Sequence, residues 1–285
     1  METAQDLLKH IKLEQIEHNI FRGMSVPIFS KRVYGGQVLA QALRAAIETV
    51  PEDRFVHSLH SYFILAGDAS RPIVYEVERL RDGGSFTTRR VTAIQHGRAI
   101  FNLSASFQKE QAGLEHQIEM PNVPPPEALL NTREIAQQYI EQFPQRAKWE
   151  NRPHPVEFKP VEQPDWINPT NRQPVRHLWF RVRGELPDDK RIHQTALAYA
   201  SDFYLLGTSI QPHRGDVDPR DLQLASLDHA MWFHHDCRID EWHLYALDSP
   251  SASNARGFNR GSLFSRDGKL VASMVQEGLI RPKKK

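Results

Sequence analysis

The stretch G-G-Q-V-L-A-Q-A-L-R-A-A-I-E-T-V, Gly35 to Val50, decides how the rest of the chain is read. Val38, Leu39, Ala42, Ala46 and Ile47 recur at helical spacing and Pro51 stands just past the end, so the stretch predicts a helix. It is largely apolar and short of charge, and a helix of that kind is buried on most sides. What buries it is suggested by the segments that follow. F-V-H-S-L-H-S-Y-F-I-L, P-I-V-Y-E-V-E-R-L-R, S-F-T-T-R-R-V-T-A-I-Q and R-A-I-F-N-L-S-A-S-F-Q are rich in β-branched and aromatic residues. Turn signals separate them at Gly67-Asp68, Asp82-Gly83-Gly84 and His96-Gly97, which predicts one helix followed by a four-strand antiparallel meander.

The same order returns near the C-terminus. R-I-H-Q-T-A-L-A-Y-A-S-D-F-Y-L-L, Arg191 to Leu206, reads as a second apolar helix. L-Q-L-A-S-L-D-H-A-M-W-F-H, W-H-L-Y-A-L-D-S, A-R-G-F-N-R-G-S-L-F-S and L-V-A-S-M-V-Q-E-G-L-I-R follow as strands. Ser58-Leu59-His60 aligns with Ser226-Leu227-Asp228 at an offset of 168, and His96-Gly97-Arg98 aligns with Asp267-Gly268-Lys269. We read an internal duplication. Each half gains N-terminal strands, E-Q-I-E-H-N-I-F-R-G in the first and V-E-F-K-P-V-E with H-L-W-F-R-V-R in the second. Between the halves, M-P-N-V-P-P-P-E-A-L-L and N-R-P-H-P-V-E-F-K-P are proline-rich, so a connector with one helix, about residues 127 to 149, is expected. The expected division is residues 1–115, a linker over 116–149, and residues 150–285, with an α+β fold in which each helix packs on one sheet face.

Composition narrows the class of function. Hydrophobic residues at 40% and charged residues at 25% are ordinary for a globular chain, and no apolar run approaches the ~20 residues of a spanning helix, so no membrane insertion is expected. Lys+Arg 36 against Asp+Glu 35 leaves a net charge of +1, which gives no field for nucleic acid; the basic tail Arg281 to Lys285 reads as a solvated end. The single cysteine, Cys237, forms no internal disulfide and fits a reducing compartment. The opening M-E-T-A-Q-D-L-L-K-H has no secretory pattern and the end is not Ser-Lys-Leu, so a cytoplasmic location is expected.

The serine-hydrolase elbow, the P-loop and the dinucleotide fingerprint are absent from the sequence. H-H-D-C, His234 to Cys237, would place two ligands on each face of a strand, too few for zinc, so no metal is expected there. Three other residues stand out. Asp202 lies late in the second helix, where a carboxylate opposes the helix dipole and asks for compensation. Ser226 opens the aromatic strand and Gln276 lies in the last strand, within A-S-M-V-Q-E-G-L-I-R. A helix packed on a sheet is a geometry in which such residues meet.

Five strings in order, V-Y-G-G-Q-V-L-A-Q-A-L, V-H-S-L-H-S-Y-F, A-S-D-F, S-L-D-H-A-M-W-F-H and V-Q-E-G-L-I-R, together resemble the acyl-CoA thioesterase II family over nearly the whole chain. The resemblance implies a double hotdog fold: two tandem copies of a long helix wrapped by an antiparallel sheet, joined into one continuous surface. It implies hydrolysis of fatty acyl-CoA to free fatty acid and CoA with no metal or organic cofactor. By motif, the family's catalytic Asp, Thr or Ser, and Gln fall on Asp202, Ser226 and Gln276, with His57 of V-H-S-L-H a secondary candidate. The expected chemistry is a water activated by Asp202 and held by Ser226 and Gln276, without a covalent intermediate. A homodimer or homotetramer is also expected.

Further expectations concern the neighbours. The buried helix and Trp232-Phe233 are candidates for an acyl channel, Asp228 shares the strand parity of Ser226, and His229 points the other way. Asp228 and His229 are expected to be structural partners of neighbouring groups. Two rival readings remain. Asp188 and His193, five apart before the second helix, suggest a hotdog enoyl-CoA hydratase, though the pair also suits helix capping. The other rival is a non-catalytic acyl-CoA-binding regulatory module.

Overall fold

The computed structural model describes residues 1–285 except Phe29, Asn171, Arg172, Lys284 and Lys285. The basic tail thus lies partly outside the described residues. In chain order the first half contains α1 (Ala4–Ile11), β1 (Glu14–Glu17), β2 (Ile20–Gly23), α2 (Gly35–Ile47), β3 (Phe55–Phe63), β4 (Ile73–Asp82), β5 (Phe86–Gln95) and β6 (Arg98–Gln108). The connector carries α3 (Thr132–Gln138) and α4 (Pro144–Glu150). The second half contains β7 (Val156–Pro160), β8 (Val175–Val182), α5 (Lys190–Ser201), α6 (Leu205–Ile210), β9 (Leu222–Ser226), β10 (Asp228–Phe233), β11 (His243–Ser253), β12 (Arg256–Ser265) and β13 (Leu270–Pro282).

Among the described residues, thirteen strands form one sheet in the order β1-β2-β4-β5-β6-β3-β10-β13-β12-β11-β8-β7, with β9 paired to β13. The order reads alike from both sides of the β3·β10 seam. At that seam Ser61 pairs with His229, and the Ser61 hydroxyl donates to the His229 carbonyl oxygen at 2.7 Å. The two residues are 168 apart, the offset at which the two halves align in sequence. The local twofold relation between the copies therefore runs through this pair.

Inside the curved sheet lie α2 and α5, packed together with the start of one helix against the end of the other. Small residues allow their close approach: Ala40, Ala42, Ala45 and Ala46 of α2 and Ala196, Ala198 and Ala200 of α5 are fully buried. At the α2 start, a Cβ on Gly36 would collide with the Tyr199 carbonyl oxygen and the Tyr34 ring. The paired helices thus form the common core of both halves, and no helix among the described residues is long and apolar enough to cross a membrane.

Three expected elements take a different form, and one helix is additional. The connector helix over 127–149 is two short helices, because Pro144 lacks an N–H and disfavours helical backbone at Phe143, which sits at φ −134° and ψ 60°. The helix expected over 191–206 stops at Ser201, since Tyr204 takes φ 67° before α6 begins. The strand expected over 222–234 is broken at Leu227 into β9 and β10. The N-terminal helix α1, not anticipated, is closed by a capping box between Thr3 and Asp6 and ties to the second half through Ala4 N–H donating to Arg183 O at 2.7 Å.

Gly36→Ala should force α2 and α5 apart and destabilise the fold by about 1–3 kcal/mol. Gly84→Ala, with open space around the added methyl group, is the control and should leave stability unchanged. Urea unfolding of both variants tests this; equal stability would show that the helices yield at Gly36 without strain.

Candidate active site

Asp202 is the C-cap of α5, at φ −77° and ψ −10°. A carboxylate there faces the negative end of its own helix dipole. The compensation comes from the other copy: Gly36 N–H, at the start of α2, donates to Asp202 Oδ2 at 2.9 Å. Gln276 Nε2 of β13 donates to Oδ1 at 2.6 Å. The Ser226 hydroxyl also lies close enough to lower the carboxyl's pKa. Burial outweighs these three donors and raises the Asp202 pKa to about 6. The surrounding phenols of Tyr34, Tyr199 and Tyr245 are pushed upward, chiefly by burial, and stay neutral.

Ser226 and Gln276 reach this carboxylate through an irregularity in the sheet. Ser226 pairs with Gly278, whereas Ala230 pairs with Val275. Four residue steps on the β9–β10 side thus answer three on β13, a one-residue bulge centred on Leu227. Such an insertion reverses the alternation of side chains beyond it. Ser226 and His229 consequently share the face that bears Gln276, which corrects the expectation that His229 points away from Ser226.

His229 is fully buried opposite Gln276. Its Nδ1 lies 3.2 Å from Gln276 Nε2 and its Nε2 lies 3.0 Å from Ser201 Oγ. Burial pushes the imidazole pKa down to about 3, so the ring is neutral. Asp228 behaves as expected of a structural partner: its carboxylate accepts from Glu277 N–H at 2.7 Å. Gln276 Oε1 is left buried without a partner.

A cleft of about 400 Å³ opens beside Ser226. Gly35 and Ser226 line it together with Tyr34, Val38, Phe63 and Leu227. Gly35 must be small, because a Cβ there would stand 2.6 Å from Asp202 Oδ2.

Other sequence candidates lie elsewhere. His57 bonds Ser106 Oγ at 2.8 Å and lies six residues along β3 from Phe63, roughly 20 Å from the cleft at strand rise. Trp232 packs edge-on against His60 and Phe233 lines a separate cleft with His57, so neither aromatic borders the cleft at Ser226. His234 to Cys237 follow β10 rather than extending it. There His234 meets Ser273 and Asp236 pairs with Lys190. Asp189 caps α5, Asp188 pairs with Arg238, and His193 Nδ1 accepts from Ile239 N–H, so the hydratase pair lies at the α5 start, at the opposite end of that helix from Asp202. Gly35 and Gly36 are the neighbours that the sequence left without a role, and His229, expected to be a structural partner, stands beside Gln276; each lies inside a quoted motif.

Comparison with known proteins agrees with this architecture. Residues 150–279 match the model of the acyl-CoA thioesterase family, and residues 26–108 match that of the acyl-CoA thioesterase N-terminal domain. Acyl-CoA thioesterase 2 of Haemophilus influenzae is 41% identical over 283 residues, 98% of each chain. Human acyl-coenzyme A thioesterase 8 is 41% identical over 96% of this chain and 88% of its own length. Among solved structures, the acyl-CoA thioesterase II TesB2 of Mycobacterium marinum superposes with a TM-score of 0.80 at 42% identity, covering 97% of this chain and 98% of that one. A hotdog-fold protein of Alicyclobacillus acidocaldarius superposes with a TM-score of 0.76 at 19% identity over 97% of this chain and 98% of its own, a likeness of fold. The two-copy architecture is the double hotdog fold.

The raised Asp202 pKa has a thermodynamic signature. The group titrates near 3.9 when unfolded and about 6 when folded, so its stabilising effect is complete below the lower value and is lost as pH rises through the upper one. Between pH 4 and pH 7 the stability of the native chain should fall by about 1–3 kcal/mol relative to Asp202→Asn. Urea unfolding of both proteins at several pH values measures that difference, and a pH-independent gap would contradict the raised pKa.

Proposed function

The chain belongs to the acyl-CoA thioesterase family and is an acyl-CoA thioester hydrolase, and from that premise we propose that Asp202, Ser226 and Gln276 activate a water for direct attack on a fatty acyl-CoA thioester. The observation that carries this reading is a carboxylate with a pKa of about 6 beside a buried amide oxygen that lacks a partner. A carboxylate so tuned is ionised at neutral pH yet basic enough to take a proton during attack.

Asp202 accepts one proton of the water while Gln276 Oε1 and the Ser226 hydroxyl hold the molecule in line with the thioester carbon. The water oxygen bonds to that carbon and the thioester oxygen becomes an oxyanion. Collapse breaks the carbon–sulfur bond, and the proton held by Asp202 passes to the CoA sulfur. The products are a free fatty acid and CoA. The oxyanion suits the start of α2, where the first amides have no partner within the helix and the dipole favours negative charge. Gly36 N–H is engaged by Asp202, which leaves Gly35 N–H, on the cleft wall, as the donor.

Direct attack by water is favoured over an acyl-enzyme by the surroundings of Ser226. The neighbouring imidazole, His229, turns its Nε2 to Ser201 and its Nδ1 to Gln276, so this ring is not turned to Ser226 as a base. The apolar cleft wall of Val38, Phe63 and Leu227 suits an acyl chain.

Asp202→Asn should lower kcat for thiol release from acyl-CoA by ~100-fold or more with a folded protein, and Ser226→Ala and Gln276→Ala by about 10-fold or more. The native kcat/KM should fall as pH drops through about 6, because protonation removes the base. Thiol release from acetyl-, octanoyl- and palmitoyl-CoA measures both effects. An undiminished Asp202→Asn rate would remove Asp202 as the base. Loss of enoyl absorbance from crotonyl-CoA without thiol release would favour a hydratase, and binding without turnover would favour a regulatory module.

A further inference from the structure

We propose that His229, held as its Nε2–H tautomer by Ser201, is a positioning residue that locks the Gln276 amide with its nitrogen toward Asp202 and its oxygen toward the attacking water. The inference deepens the water-activation reading and rests on it. Its basis is the count of protons and lone pairs around one buried amide.

Gln276 Nε2 has two hydrogens. One goes to Asp202 Oδ1 at 2.6 Å and the other to His229 Nδ1 at 3.2 Å. The second bond requires a bare lone pair on Nδ1, so the proton of the neutral ring must sit on Nε2. Ser201 enforces that choice. Its hydroxyl donates to the Ala198 carbonyl at 2.9 Å and has the Met231 sulfur as another acceptor at 3.3 Å, which leaves its oxygen to accept from His229 Nε2 at 3.0 Å. The Asp202 carboxylate and His229 Nδ1 are then both acceptors. A flipped Gln276 would set its oxygen against both of them, so one amide orientation survives. In that orientation Oε1 is the atom left without a partner.

The first copy indicates that this pairing serves the chemistry rather than the sheet. Across the β3·β10 seam the counterpart of His229 is Ser61, and the β6 partner of Ser61 is Leu103. The first copy thus fills the corresponding buried place with a hydroxyl and an aliphatic chain. Its helix end also differs: the C-cap of α2 is Glu48, whose carboxylate pairs with Arg44 one turn back. Imidazole and amide occur together in the copy whose helix ends in Asp202.

The test compares His229→Leu, His229→Asn and His229→Gln in thiol release from octanoyl-CoA, with thermal unfolding of each. Leu removes the acceptor and frees the amide to turn. kcat should fall by about 10- to 100-fold with KM within about 3-fold, because the loss falls on the transition state. The acid limb of its kcat/KM profile should move above pH 6, since the Gln276 bond lowers the Asp202 pKa. Asn places an oxygen where Nδ1 stood and should recover most of kcat, whereas Gln extends past that point and should not. If the Leu variant does not fold, the Asn and Gln pair decides: equal activity overturns the proposal. A folded Leu variant with native kcat and an unmoved acid limb also overturns it. Loss of activity in Asp202→Asn alongside that result would leave the water-activation reading standing, whereas full activity in Asp202→Asn would remove the reading itself.

Discussion

One hydrogen bond, from the Gly36 N–H at the start of α2 to the Asp202 carboxylate at the end of α5, underlies the rest of the site. A carboxylate at a helix C-terminus is disfavoured by its own dipole, by roughly 0.3–1 kcal/mol in exposed settings and more when half-buried. Here the opposing helix supplies the positive end. That requires the two helices to run antiparallel with their ends in register, which in turn requires the alanine faces and the bare Gly36 that let them approach. The curved sheet follows from the same need, since two largely apolar helices must be covered.

The carboxylate is stabilised, yet incompletely. Donors from Gly36, Gln276 and Ser226 lower its pKa, while burial raises it further than they lower it. A fully compensated carboxylate would be a poor base, and an uncompensated one would be protonated at neutral pH. The balance near 6 arises because the donors come from three elements while the other groups near the carboxylate are the buried, neutral phenols of Tyr34, Tyr199 and Tyr245. Stability is given up at the site where chemistry is proposed, as expected of functional centres.

Duplication explains the frame, and departure from duplication explains the site. Both copies contribute an apolar helix and a meander, and they join at the Ser61·His229 seam. The copies then diverge where the polar groups sit. The second carries Asp202, Gln276 and His229 in the places where the first carries Glu48, Leu103 and Ser61. A complete site nevertheless needs both copies, because the first supplies the helix start that faces the second's carboxylate.

Most of the fold was legible in the sequence. Helical periodicity from Gly35 to Val50, its return near Arg191, and turn signals between β-rich runs depend on local spacing, which a chain carries without its tertiary contacts. The motifs likewise brought Asp202, Ser226 and Gln276 forward as residues on separate elements. What spacing does not encode is the bulge at Leu227. Strict alternation put His229 on the opposite face from Ser226, and one inserted residue, chosen by how β9 and β10 pair with β13 and β3, returned it to the same face. The end of α5 was hidden for a related reason, because Tyr204 adopts φ 67° against Phe158 and Arg176, partners distant in sequence. Sequence alone determined which elements form, since that depends on periodicity; the tertiary structure decided which faces and helix ends meet, since that depends on register and on long-range packing.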